Sequence, residues 1–256
     1  MNNFFNPKRF ARLFIKHTAE HYRTYLMSVG VLAGVMLLGG AFIFYVIPGP
    51  PDTGMQTAIF VILMLIAGSI FTSTVFADYG IKNKAIPALT LPASSFEKYL
   101  VGWLYSYPIF ILIYTGVFYF VLWGLSSIKQ WPGQHFEALN LAQPDMIMLP
   151  VLYTFLHALA IFGAILFEKL QFIKIGFAFF IGYAVTMLLN TFFFEAITGE
   201  EVRAAQPFGF LNFDSDGKFY SIAATGPATA WIPVLLVTGS ILIWVAAYYR
   251  LKEKQV

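Results

Sequence analysis

Near the start of the chain, two histidines and a glutamate have the residue types and spacing that could bind a metal ion. His17 and His21 lie four residues apart with Glu20 between them. On a helix, both imidazoles would share one face and the carboxylate could activate a water, as in one class of zinc enzymes. No third ligand is evident, and no soluble domain surrounds the segment. We therefore interpret it as a polar helix face beside a membrane, and we predict neither a metal nor another cofactor.

A nucleotide-binding loop is not present in the sequence. The phosphate-cradling pattern G-x-x-x-x-G-K-[ST] occurs nowhere, and the one Gly-Lys pair, at Gly217 and Lys218, is followed by Phe219. The chain is not predicted to hydrolyse ATP by itself. No catalytic residue is predicted.

Two polar residues interrupt strongly apolar segments in the second half of the chain. His157 and Asn190 each lie among hydrophobic residues. Polar groups are costly in hydrocarbon, so both should face other helices or a cavity. Each could line a pathway, or each could form a single hydrogen bond between helices.

The composition identifies the environment of these residues. Hydrophobic residues make up 59% of the 256 positions and charged residues 11%, and the mean hydropathy is +0.71. A soluble domain has about a quarter of its residues charged, so a water-soluble globule is excluded. Cysteine is absent, which rules out disulfides and thiolate metal sites. Nothing in the composition supports binding of nucleic acid.

The apolar segments predict an all-α integral membrane protein with six transmembrane helices. Each has close to the roughly 20 apolar residues that a spanning helix needs. They cover residues 25–47, 55–76, 99–123, 146–167, 173–194 and 232–249. Residues 1–24 are predicted to form an amphipathic interfacial helix, because Phe10, Leu13 and Phe14 share one face. The six-helix domain then covers residues 25–249, and residues 250–256 form a tail.

The distribution of basic residues predicts the orientation in the bilayer. Thirteen of the 16 lysines and arginines lie before the first span, in the second and fourth connections, or after the last span. Cytoplasmic segments are enriched in these residues. Both termini are therefore predicted to be cytoplasmic. The largest outer loop, residues 195–231, has a pattern that fits either a β-hairpin or a partly re-entrant element.

The connection between the second and third spans is the largest cytoplasmic one. Ser94 and Glu97 have the spacing of a capping box, in which each side chain accepts a hydrogen bond from the other residue's backbone amide. Ser94 should therefore begin the third span. Residues 81–89, just before it, are short, of mixed polarity and limited by Pro87.

This stretch resembles the corresponding loop in permease subunits of the type-two exporter family of ATP-binding-cassette (ABC) transporters. There, a Leu-Pro-x-Ser element, here Leu91 to Ser94, often precedes an acidic residue at the head of the third span, here Glu97. The layout of six spans after a basic interfacial helix is also similar.

The resemblance implies a function and a partner. In that family this loop supplies a coupling helix that docks on a separate ATPase, and two permease subunits form a homo- or heterodimer. The implied location is the plasma membrane of a prokaryote. The predicted ATPase contacts are the residues of the loop best placed to protrude: Lys82, Asn83, Lys84, Ile86 and Pro87. The alternative is a membrane scaffold or assembly protein that transports nothing.

Overall fold

A computed structural model of the chain describes residues 5–80, 91–129, 131, 133–206, 209–215, 218–223 and 227–254. Within these residues, six helices are long and apolar enough to cross a membrane. Their positions agree with the six apolar segments of the sequence. This confirms the prediction of six helices with the length and composition of membrane spans.

Seven α-helical segments build these six helices. Their bounds are α1 Pro7–Val46, α2 Thr53–Gly80, α3 Ser95–Leu104, α4 Phe110–Ile128, α5 Met148–Leu166, α6 Gln171–Thr198 and α7 Pro227–Glu253. A π-helical turn, Tyr105–Ile109, joins α3 to α4, so the two form one continuous helix. A short 3-10 turn, Pro144–Ile147, precedes α5.

The first helix differs from the prediction of a separate interfacial helix before the first span. Residues 7–46 form one helix without a break near residue 24. No proline interrupts the chain between Pro7 and Pro48, so nothing in the backbone forces a break there. Phe10 and Phe14 pack against the protein, and the Phe14 ring stacks on Tyr105 at a centroid distance of 4.9 Å. The apolar face predicted to lie against lipid is instead partly used for packing.

The end of α1 is fixed to the loop that follows α4. The ammonium group of Lys129 donates hydrogen bonds to the carbonyl oxygens of Phe44 and Ile47. A cation at a helix C-terminus satisfies orphan carbonyls and interacts favourably with the helix dipole. The C-terminal end of α1 is therefore attached to the residue that follows the α3–α4 helix.

The buried core lies where α2 and α5 meet their neighbours. One cluster joins α1, α2 and α4 around Phe60, Met64 and Tyr114. A second cluster joins α2, α3, α5 and α7 around Phe76 and Ile161. α6 is different, because its apolar window contains no buried residue. The helices that carry the core are thus α2 and α5, with α6 at the periphery.

The π-helical turn coincides with Pro108. A proline within an α-helix removes a backbone hydrogen bond and clashes with the carbonyl four residues earlier. The wider turn accommodates the ring without breaking the helix, as π-bulges commonly do. The first two residues of this turn, Tyr105 and Ser106, are buried.

A three-stranded antiparallel sheet lies in the connection between α6 and α7 of this mainly helical chain. Its strands are β1 Glu201–Ala205, β2 Phe210–Ser215 and β3 Lys218–Ala223, in the order β1-β2-β3. β2 and β3 form the hairpin that was one of the two predicted alternatives, with Phe213 opposite Tyr220. β1 was not predicted, and its pairing with β2 contains an irregularity between Val202 and Ala204.

Candidate functional site

The carboxylate of Glu97 lies at the centre of a polar corner between α1 and α3. Glu97 is completely buried, and each of its oxygens accepts two hydrogen bonds. Oε1 accepts from the Asn6 backbone at 2.7 Å and from Arg9 Nη2 at 2.9 Å. Oε2 accepts from Arg9 Nε at 2.6 Å and from the Ser94 backbone at 3.0 Å. A buried carboxylate that accepts four hydrogen bonds, two of them from a cationic guanidinium, is fully satisfied.

This corner contains the capping box that the sequence predicts at the head of the third span. The Ser94 hydroxyl accepts from the Glu97 amide at 3.2 Å, and α3 begins at the next residue. The Asn6 side chain similarly accepts from the amides of Lys8 and Arg9 at the start of α1. Glu97 therefore accepts the backbone N–H of both N-cap residues, and it joins the starts of two helices.

A second anchor holds the end of α2 against α5. An ideal Cβ built on Gly80, the last residue of α2, would lie 2.3 Å from the Ala164 carbonyl oxygen. Only glycine permits such close contact between the two backbones. The Gln171 amide donates to the carbonyls of Ala164 at 3.0 Å and Phe167 at 2.8 Å, and so caps the end of α5.

Lys254 connects the end of α7 to the same place. Its ammonium group donates to the carbonyls of Tyr79 at 3.1 Å and Ile165 at 2.5 Å, which lie in the last turns of α2 and α5. Burial lowers the pKa of Lys254, although its two carbonyl acceptors favour the charged form. One cation thus caps two helices and attaches a third.

The predicted ATPase contacts, Lys82, Asn83, Lys84, Ile86 and Pro87, lie outside the described residues. The structure does describe both flanks of this connection. The flank before it ends at Gly80 in the second anchor, and the flank after it leads to Ser94 and Glu97 in the first. Both flanks are therefore held by buried contacts among helices distant in sequence.

His157 lies in a separate polar cluster at the π-helical turn. Its ring is fully buried and lies between Ser106 and Trp244. The Trp244 indole N–H donates to His157 Nδ1 at 3.2 Å. Because an indole can only donate, the proton of the neutral imidazole is on Nε2, which donates to the Ser106 hydroxyl at 2.9 Å. The histidine thus bridges three helices.

Tyrosines continue the cluster around the same turn. The Tyr107 and Thr154 hydroxyls are 2.6 Å apart, and Tyr153 donates to the Ser106 carbonyl at 3.2 Å. The Tyr153 and Tyr107 rings are stacked, with centroids 5.8 Å apart. The arrangement corresponds to the interhelical hydrogen bonding that was one of the two interpretations of His157.

Asn190 has a different role from His157. Its amide donates to the Ala205 carbonyl at 3.0 Å, and the neighbouring Thr191 hydroxyl accepts from the Ala205 N–H at 3.3 Å. The backbone carbonyl and N–H of Ala205, the last residue of β1, are therefore both hydrogen-bonded to side chains of α6. Asn190 attaches the sheet to α6, and the structure does not bring it together with His157.

The histidines at the start of the chain form a small aromatic cluster. His17 is 2.6 Å from the Tyr25 hydroxyl, and its ring centroid is 4.5 Å from that of His21. His21 Nε2 lies 3.6 Å from a carboxylate oxygen of Asp78 on α2. Across the ranges that the structure describes, no three His, Cys, Asp or Glu side chains are grouped as they would be around a metal ion.

Three residues that form the two anchors were not identified from the sequence: Arg9, Gly80 and Lys254. Arg9 and Lys254 counted only as basic residues that indicate orientation, and Gly80 had no special role in the sequence. Their partners are far away along the chain, and a local pattern cannot specify such pairs. Their positions beside the ends of predicted helices were the available signal.

Comparison of the chain with protein-family models, with curated proteins and with solved structures gave no match in any of the three. The class of protein is therefore inferred from the fold alone. Six helices of spanning length and composition fit a multi-pass membrane protein. Two of its buried polar clusters lie at the two ends of the connection between α2 and α3.

Proposed function

We propose that this chain is the membrane-spanning permease subunit of an ABC exporter. In this proposal a separate ATPase subunit binds the connection between α2 and α3, and two permease subunits form the pathway. The protein lies in the plasma membrane of a prokaryote with both termini in the cytoplasm. The distribution of basic residues and the resemblance of residues 91–97 support this assignment.

The observation that carries the proposal is the anchoring of both ends of the connection. A coupling element must transmit the movement of an ATPase to membrane helices. The residues on both sides of it must therefore be firmly attached to those helices. At one flank, Glu97 joins α3 to α1 through the bidentate pair with Arg9. At the other, Gly80 packs on α5, and Lys254 adds α7. Movement of this connection would therefore be shared by five helices.

The peripheral position of α6 is compatible with a second subunit. Large apolar side chains are exposed along its length, including Phe177, Leu188 and Phe192. Lipid could cover such a surface, and so could another permease subunit. A single bundle of six helices would form half of a pathway, which is why the proposal includes a dimer.

The test is charge reversal at the two lysines of the connection. Lys82→Glu with Lys84→Glu should lower the recovery of an ATPase that copurifies in mild detergent, identified by its Walker motif and its ATP hydrolysis. The matched control is Arg250→Glu with Lys252→Glu, which changes the same number of charges at the end of α7. Recovery should remain normal in the control. If no nucleotide-binding protein copurifies with the unmodified chain, the scaffold becomes the better account.

A further inference from the structure

A basic groove lies between the first turns of α1 and residues 91–93. Its volume is about 450 Å³. The basic residues that line it are Lys8, Arg9, Arg12 and Lys16. Leu13 and Leu91 contribute apolar walls. The groove thus combines several cations with hydrophobic surface at one end of the protein.

The cations of the groove are only partly neutralised. Arg9 is paired with Glu97. Lys16 lies 3.6 Å from Glu20, but both side chains are about half exposed, at 45% and 53%. Such exposed pairs contribute little. Among the described residues, neither Lys8 nor Arg12 forms an ion pair with a carboxylate. The groove therefore carries an excess of positive charge.

An exposed apolar track continues from the groove along the same helix. Lys8 and Leu26 are 18 residues apart, which is about five turns, so they lie on the same side of α1. Ile15 and Tyr22 lie close to this line, and the exposed fractions of Ile15, Tyr22 and Leu26 are 67%, 45% and 67%. The rise from Arg12 to Leu26 is about 21 Å, roughly the thickness of one leaflet with its headgroups.

We propose that this groove binds the phosphate headgroup of an anionic lipid, with an acyl chain along the track of Ile15, Tyr22 and Leu26. Basic residues next to a transmembrane helix attract anionic headgroups. A free phosphate would contact only the basic residues of the groove. An amphiphile would also contact the apolar track of Ile15, Tyr22 and Leu26. The inference does not depend on the ATPase partner of the proposed function.

The test measures lipid binding to the full chain in mild detergent by native mass spectrometry. Phosphatidylglycerol should bind more tightly than phosphatidylcholine, and glycerol 3-phosphate should not displace it at equal concentration. In the triple variant Lys8→Gln, Arg12→Gln and Lys16→Gln, the affinity for phosphatidylglycerol should fall about 100-fold. Each of the three cations contributes about a fivefold change, and these factors multiply. Arg9 is left unchanged because it supports Glu97.

The matched control removes three cations outside the groove and the track, in the variant Lys169→Gln, Arg250→Gln and Lys252→Gln. The control variant should bind phosphatidylglycerol as the unmodified chain does. Both triple variants should have the same unfolding temperature as the unmodified chain. Equal binding of the two lipids would overturn the proposal, as would equal losses in the two triple variants. Displacement by glycerol 3-phosphate at equal concentration would show a site for soluble phosphate instead.

Discussion

Arg9 and Glu97 are each the third residue of their helix, and they form a bidentate ion pair with donor–acceptor distances of 2.6 and 2.9 Å. The same carboxylate accepts the backbone N–H of the N-cap residue of both helices, at Asn6 and Ser94. A capping box normally closes one helix end. Here, one glutamate closes two helix ends and fixes them side by side.

The first prediction concerns this shared glutamate. Glu97→Gln replaces an acceptor oxygen by an NH₂ group that faces N–H donors, which leaves buried donors unsatisfied. We expect a loss of about 2 kcal/mol in unfolding free energy, measured by thermal unfolding in detergent. Ser94→Ala should cost about 0.5–2 kcal/mol. Glu20→Gln, at an exposed glutamate on α1, is the control, and a loss at Glu97 no larger than this control would disprove the double cap.

The second prediction concerns the close contact at Gly80. Gly80→Ala would place a methyl group against the Ala164 carbonyl, a backbone atom that cannot move independently. We expect a loss on the order of 2 kcal/mol from overpacking. Gly116→Ala is the matched control, because a Cβ there meets nothing within 4 Å. The control should be neutral or gain up to about 1 kcal/mol from helix propensity. Equal unfolding temperatures for the two variants would contradict the contact.

The third prediction concerns the buried hydrogen bond between His157 and Ser106, and it compares the loss of this serine with the loss of an exposed one. Ser106→Ala removes the acceptor of His157 Nε2 with almost no change in volume. We expect a loss of about 1 kcal/mol, the usual value for a polar contact between membrane helices. Ser127→Ala should have no measurable effect, since Ser127 is exposed and bonds only within its own helix. If the two variants unfold alike, the histidine does not hold these helices together.

The fourth prediction tests the orientation. The chain has no cysteine, so single cysteines can be introduced without background labelling. Cysteines at Gln134 and Lys218 should react with an impermeant thiol reagent in intact cells. Cysteines at Glu20 and Lys252 should react only after the membrane is opened. The reverse result would move the connection between α2 and α3 to the outside, where the proposed ATPase partner could not reach it.

The sequence predicted those features that depend on neighbouring residues. Six apolar segments of sufficient length specify six helices, because a helix satisfies its own backbone in lipid. The cap at Ser94 and Glu97 follows from a spacing of three residues. The β2–β3 hairpin was one of two alternatives, since its turn signal is local.

Other features were not predictable because they join distant residues. Nothing in the pattern around Arg9 indicates that its partner is Glu97, and Lys129 gave no sign that it would cap α1. The π-helical turn at Pro108 and the strand β1 were also missed. A proline can kink, end or widen a helix, and the choice depends on its packing. The continuity of α1 was missed as well, although no proline lies between Pro7 and Pro48.

The attachment of α1 to the α3–α4 helix at both ends has a consequence for synthesis at the ribosome. Arg9 precedes Glu97 by 88 residues, so at about 5–20 residues per second the partner is made about 4–18 seconds later. During this interval α1 must remain in the bilayer through its own apolar residues. The corner between α1 and α3 can close only when the third helix has entered, and the attachment at Lys129 follows about 30 residues afterwards.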